Sequence, residues 1–147
     1  MINFKLIPGC LNHLDTQYKV ILITLNNFKY YYTLIDDSIK NFNSELDWDN
    51  MFTLDDASQR LKDGMVMYVG MVDSGVFGHV WFKNHEDGRF LFNLFVKNNV
   101  YNKTYTGKEF VSDIIYRFEY DKTIYCEVDD WNEKSIKLFK RLGFQVQ

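Results

Sequence analysis

An α+β fold, with an antiparallel meander and flanking helices, follows from three features of the sequence. Helical periodicity runs through the first third, and β-rich runs crowd residues 65–96. The last third reads as helix, strand and helix with punctuated ends. One domain spanning 1–147 is expected, large enough to bury a sizeable core.

At the N-terminus, INFKLI at 2–7 reads as a strand ended by the turn pair Pro8-Gly9. Residues 14–42 support two readings. At period two, YKVILITL and FKYYYTLI flank Asn26-Asn27 as a β-hairpin would. At helical period, Leu14, Tyr18, Ile21, Leu25, Phe28, Tyr32, Ile35, Ile39 and Phe42 recur by threes and fours. The second pattern is longer and is preferred, as one or two helices with a break at Asn26-Asn27. Residues 43–50 are polar and loop-like, and Thr53 then opens a short helix that ends near Gly64.

Strands at 65–72, 76–83 and 90–96 form the meander, joined by Asp73-Ser74-Gly75 and by NHEDGR at 84–89. Thr106 caps the next helix, with Glu109 three residues on and a buried stripe of Phe110, Val111, Ile114, Ile115 and Phe118. KTIYCEV at 122–128 is apolar enough for a buried strand. In the final helix Asp130 is read as N-cap with Glu133 completing a capping box, and the apolar face runs through Ser135, Leu138, Phe139 and Leu142. Lys140 and Arg141 suit the negative end of the helix dipole. Gly143 suits a left-handed stop, which places Phe144 against Phe139.

Composition excludes several classes of function. A net charge of −3 without a basic stripe argues against nucleic acid as a partner. The longest apolar run, VILITL at 20–25, is too short to span a membrane, and no basic-then-apolar leader pattern opens the chain. Cys10 and Cys126 lack the spacing of a metal site and fit a reducing cytoplasm. Abundant Asn, Lys, Ile, Tyr and Phe point to an AT-rich source such as a phage or small bacterium, which would make the location the host cytoplasm or a virion.

The stretch VDDWNEKSIKLFKRLGF at 128–144 resembles the closing motif of the GNAT superfamily of acetyl-CoA-dependent N-acetyltransferases. Val128 ends the strand, Asn132 comes four later, Ser135 takes the small-residue place, Leu138 and Phe139 follow, and Gly143-Phe144 closes. The resemblance covers about residues 65–144, while the first fifty residues carry no family signature. It implies an acyl-CoA N-acyltransferase fold with a mixed central sheet, acetyl-CoA as cosubstrate and an amine-bearing small molecule or protein as acceptor. It also implies that backbone groups near Leu94, Phe95 and Val96 pair with the pantetheine arm, and that amides at the start of the following helix hold the pyrophosphate.

Aligned on the helix stripe, the family's phosphate loop falls on Asn102–Gly107, and only its last glycine is kept. Asn102 replaces an Arg or Gln, Tyr105 replaces a Gly, and Thr104, Thr106 and Lys108 are candidate compensating donors. Thr106 and Gly107 serve equally well as a plain helix cap. Asn132 falls on the cofactor arm or the acceptor side, and Phe139 stands where the family often has a Tyr that protonates the departing thiolate. Tyr105 and Tyr125 are stand-ins by reach, with packing the commoner role for either.

No general base stands out, although Glu127, Asp129 and Asp130 cluster where a cationic amine would enter. His79 reads as a satisfied half-buried histidine, and Glu86 and Asp87 as solvated turn residues. The family's hairpin after the last helix is missing, so the acceptor wall falls to the N-terminal region or to a partner subunit, or no small acceptor is bound at all, and the exposed sheet edge suits a protein partner or a second copy. Two functions follow from different classes: an N-acetyltransferase, or a catalytically inactive structural or interaction protein on the same fold, such as a phage accessory or virion component.

Overall fold

The structure, a computed structural model, describes residues 1–9, 11, 18–40, 53–72, 75–96, 99–100, 103–104 and 107–147. Among these, seven strands form one sheet in the spatial order Lys19–Ile23 (β2), Val66–Val72 (β3), Gly75–His85 (β4), Gly88–Val96 (β5), Thr123–Val128 (β8), Ile2–Leu6 (β1) and Gln145–Val146 (β9). Strand β1 (Ile2–Leu6) turns Phe4 and Leu6 into the core and ends at Pro8-Gly9, where Gly9 takes a positive φ of 77°.

Residues 18–25 depart from the preferred helical reading. Lys19–Ile23 is strand β2, antiparallel to β3, and the helix α1 begins only at Phe28 and runs to Lys40. The strand touches the core on both faces, Tyr18 and Val20 against one apolar cluster and Ile21 and Ile23 against the other, while Lys19 and Leu22 are exposed. A strand with apolar side chains on both faces reads as a continuous apolar run, which periodicity cannot separate from helix. The break expected at Asn26-Asn27 is a reciprocal cap: Thr24 N donates to Asn27 Oδ1 at 2.7 Å, and Asn27 N donates to Thr24 Oγ1 at 3.3 Å. Residues 14–17 lie outside the described residues.

Helix α2 (Leu54–Lys62) starts as expected, with Thr53 Oγ1 accepting from Asp56 N at 3.1 Å, and the chain leaves it through Gly64 at a φ of 89°. The meander follows as β3 (Val66–Val72), β4 (Gly75–His85) and β5 (Gly88–Val96). Beyond it lie a two-residue pair, β6 (Asn99–Val100) and β7 (Lys103–Thr104), then α3 (Gly107–Phe118) and β8 (Thr123–Val128). Phe110, Val111, Ile114 and Ile115 are buried, but Phe118 is 39% exposed and stacks on Tyr68 at the rim.

Helix α4 (Glu133–Leu142) corrects the expected cap. Asn132, not Asp130, is the N-cap, its Oδ1 accepting from Ser135 N at 3.2 Å. Asp130 lies in the preceding turn and takes the Met1 ammonium at 2.9 Å, and Glu133 becomes the first helical residue. The stop is as expected: Gly143 has a φ of 99°, Phe144 N donates to Phe139 O at 3.0 Å, and the two rings meet edge to face at 5.1 Å.

The edge expected beside β8 is closed. β1 pairs antiparallel with β8 from Ile2↔Val128 to Leu6↔Ile124, and β9 (Gln145–Val146) pairs with β1 on its far side. Helices α3 and α4 cover one face of the sheet around Phe4, Phe82 and Ile124, and α1 and α2 cover the β2–β4 half of the other around Met67, Val69 and Trp81. Cys126 is buried, and burial first, then the Glu127 charge, pushes its thiol up to about 12. Cys10 lies outside the described residues.

Candidate functional site

β5 and β8 run parallel and pair only from Gly88↔Thr123 to Leu91↔Cys126. The pairing stops where β5 gains a residue: Trp81 faces Asn93 and Phe82 faces Leu91, so Phe92 is the extra residue of a β-bulge. A bulge bends its strand and increases the local twist. Beyond it Phe92–Val96 and Glu127–Val128 are no longer paired, which leaves a wedge at the C-terminal ends of two parallel strands. Ligands commonly enter sheets at such openings.

The start of α3 lies over this wedge. A Cβ built on Gly107 would come 3.4 Å from Leu138 and 3.7 Å from Leu94, so three elements meet at the first residue of the helix. Lys108, next along, is exposed. The free N–H groups of a helix's first turn and its positive dipole end make an anion site. Leu94 and Val96 are half-buried toward α3 and α4, while Phe95 points through the sheet and stacks on His79 at 5.4 Å. Asn132 is occupied as the α4 cap, and Phe139 is buried against Phe4 and Phe144. Thr104 is placed in β7 by its backbone alone, and Asn102, Tyr105 and Thr106 lie outside the described residues.

The titratable groups sort by environment. His79 is 4% exposed and shares a 3.2 Å hydrogen bond between Nε2 and Asn93 Oδ1. Desolvation pushes it down to about 4, opposed by the Asn93 bond and reinforced by Arg60, so it is neutral at pH 7. Tyr125 donates to Asp87 Oδ2 at 2.9 Å and stacks on His85, which draws its hydroxyl to the β4–β5 turn and away from the wedge. That bond, together with one to His85, holds the Asp87 carboxyl below its usual range. Asp130 raises the Met1 ammonium through its hydrogen bond, with burial opposing and Asp129 and Glu127 adding charge.

Two open cavities lie on the face opposite α3 and α4. One, of about 450 Å³, is lined by Met1, Lys83, Phe90, Leu91, Phe92, Glu127 and Asp129. The other, of about 430 Å³, is lined by Arg60, Asp63, Gly64, Met65, Lys83, Asn84 and Phe92. Sequence reasoning found Glu127 and Asp129 but missed Phe92, Lys83 and Arg60. The run FLFNLFV at 90–96 carries no Gly or Pro to announce a bulge. Among the described residues no cluster of metal ligands occurs, and no helix is long and apolar enough to cross a membrane.

No protein-family model matches this sequence, and no curated protein matches it significantly. Solved structures do share its fold. A conserved protein of unknown function from Staphylococcus epidermidis aligns over 99% of this chain with a TM-score of 0.60 and 14% identity, and the chain spans 57% of that protein. A probable acetyltransferase from the same organism aligns over 88% of this chain and 84% of its own, with a TM-score of 0.60 and 17% identity. AAC(6')-Iy, in complex with a bisubstrate analogue joining CoA to an acetylated neamine, aligns over 88% and 92% with a TM-score of 0.56 and 13% identity. The chain has the fold of the GNAT acetyltransferases.

Proposed function

We infer, from a chain that folds as the GNAT acetyltransferases do, that it transfers an acetyl group from acetyl-CoA to an amine. The observation that carries this reading is the Phe92 bulge, which ends the β5–β8 pairing at Leu91↔Cys126 and leaves the Leu94–Val96 backbone facing an open wedge. A pantetheine arm lying there would pair with strand backbone, as an added strand does, and so asks little of side-chain identity. The pyrophosphate would meet the first turn of α3, with Lys108 as a point charge beside it; Asn102, Thr104, Tyr105 and Thr106 are the further contributors expected from the sequence.

The acceptor enters from the opposite face, over Phe90 and Phe92, where Glu127 and Asp129 attract its ammonium form. After a proton is lost to water, the amine lone pair attacks the thioester carbonyl and forms the C–N bond; the nitrogen of the adduct gives up a second proton to water, the C–S bond breaks and the thiolate departs, leaving a neutral amide. No described side chain at the wedge supplies an acid: Phe139 has no proton to give, and Tyr125 is engaged by Asp87. Catalysis then rests on holding the two reactants together.

That same lack favours a second reading, in which the fold is kept for binding without turnover. Isothermal titration with acetyl-CoA, with dephospho- and desulfo-CoA as controls, separates the two. Micromolar binding of acetyl-CoA supports the transferase, and its absence up to millimolar concentration overturns it.

A further inference from the structure

The two cavities on the open face meet at Lys83 and Phe92, which line both. Their charges differ: Arg60 and Lys83 outnumber Asp63 in one, while in the other Glu127 and Asp129 stand with Lys83 and the Met1 ammonium, which Asp130 holds at 2.9 Å. On the α2 side the Arg60 guanidinium lies 5.1 Å from the Phe92 ring centre and 5.5 Å from that of Trp81, and Lys83 Nζ lies 4.1 Å from the Phe92 ring. Neither cation has a carboxylate partner among the described residues. The acid beside them, Asp63, accepts from Gln59 Nε2 at 2.9 Å.

On the β8 side stand Glu127 and Asp129. Glu127 is the first β8 residue beyond the last pair, Leu91↔Cys126, so the acidic end is the one beside the wedge. Between the ends Phe92 is 39% exposed, a flat apolar surface flanked by charge of either sign. Two cations gathered on one aromatic ring repel each other, and a bound anion relieves that repulsion through charge-assisted hydrogen bonds from both.

We propose that the acceptor is an amine that also carries a carboxylate, of amino-acid to dipeptide size, its ammonium toward Glu127 and Asp129, its carboxylate between Arg60 and Lys83, and its carbon spacer on Phe92. The proposal rests on the acetyl-transfer reading of the same site and names its substrate class. The arrangement also selects against polycations, because a second ammonium would be driven onto Arg60 and Lys83.

The test compares a matched pair of acceptors, δ-aminovalerate and its amide δ-aminovaleramide, with acetyl-CoA saturating. The expected result is a kcat/KM at least ~10-fold higher for the acid. Arg60→Gln and Lys83→Gln each bring that ratio toward one through KM, while Arg60→Lys retains it. Lys83 is exposed, so its variant keeps the test sound if loss of the Arg60 contact to Trp81 lowers stability. Acetylation of both members at equal kcat/KM overturns the charge-matched acceptor and leaves acetyl transfer standing. Acetylation of neither overturns both, and a preference that survives both Gln variants overturns the assignment to Arg60 and Lys83.

Discussion

Phe4 of β1 packs against Phe139 of α4, their ring centroids 6.1 Å apart, so the first strand of the chain is bonded into the core under its last helix. Phe4 is fully buried and lies between Cys126 of β8 and Val146 of β9 in the ladder. Phe4→Ala is expected to cost about 3–5 kcal/mol. Urea unfolding of the variant checks this, and a change below about 1 kcal/mol would mean that β1 is not part of the cooperative core.

His79 makes stability depend on pH. Its folded pKa is lowered to about 4, below the ordinary histidine value of 6.5, because protonation would place a charge in a dry site. A depressed pKa contributes stability that is whole above the unfolded value and is lost as pH falls. The unfolded chain takes up the proton first, so stability declines from pH near 6.5 down to about 4. The full loss is on the order of 3 kcal/mol. Melting curves across that range should show the decline in the native chain and a flatter profile in His79→Gln; parallel profiles would count against it.

Glu119 binds three elements from a site only 1% exposed. Its Oε1 accepts from Tyr68 Oη at 2.9 Å, and its Oε2 from Lys122 Nζ at 3.0 Å and Arg89 Nε at 3.3 Å. Burial first, then this carboxylate, pushes the Tyr68 phenol well above its usual range. Glu119→Gln keeps the shape but strands the two cations, and a loss of about 3 kcal/mol is expected. Chemical denaturation measures it, and a neutral result would show the pairs to be solvated.

Gly88 sets the join between β5 and β8. A Cβ there would overlap the carbonyl oxygen of Thr123, so the parallel pairing requires glycine. Gly88→Ala should destabilise the fold by several kcal/mol, on the order of an overpacked core position or more. A melting temperature equal to that of the native chain would place the parallel join elsewhere.

The start of α3 calls for a charge test. A side chain on Gly107 heads into Leu138 and Leu94, so Gly107→Ala fits, whereas Gly107→Glu would disturb packing as well as charge. Lys108→Glu changes the charge alone, because Lys108 is exposed. Titration should show acetyl-CoA binding weakened about 3- to 10-fold in Lys108→Glu at low salt, with melting unchanged. Equal affinity would remove the first turn of α3 from the cofactor site.

Signals that act over three or four residues were legible in the sequence. The Thr53 cap, the meander at 66–96 and the Gly143 stop with Phe144 on Phe139 each rest on contacts between near neighbours in the chain. The Asn132 cap was displaced by two residues because Asp130, equally able to cap, is drawn off by a partner remote in sequence, the Met1 ammonium. Strand β2 was read as helix because what makes it a strand is its pairing with β3, a segment remote in sequence. The tertiary structure alone decided that β1 closes against β8, that Phe92 is the unpaired residue of a bulge, and that Arg60 and Lys83 flank its ring. Local hydrogen bonds and periodicity write themselves into a chain, whereas a site depends on which remote strands pair and where that pairing stops.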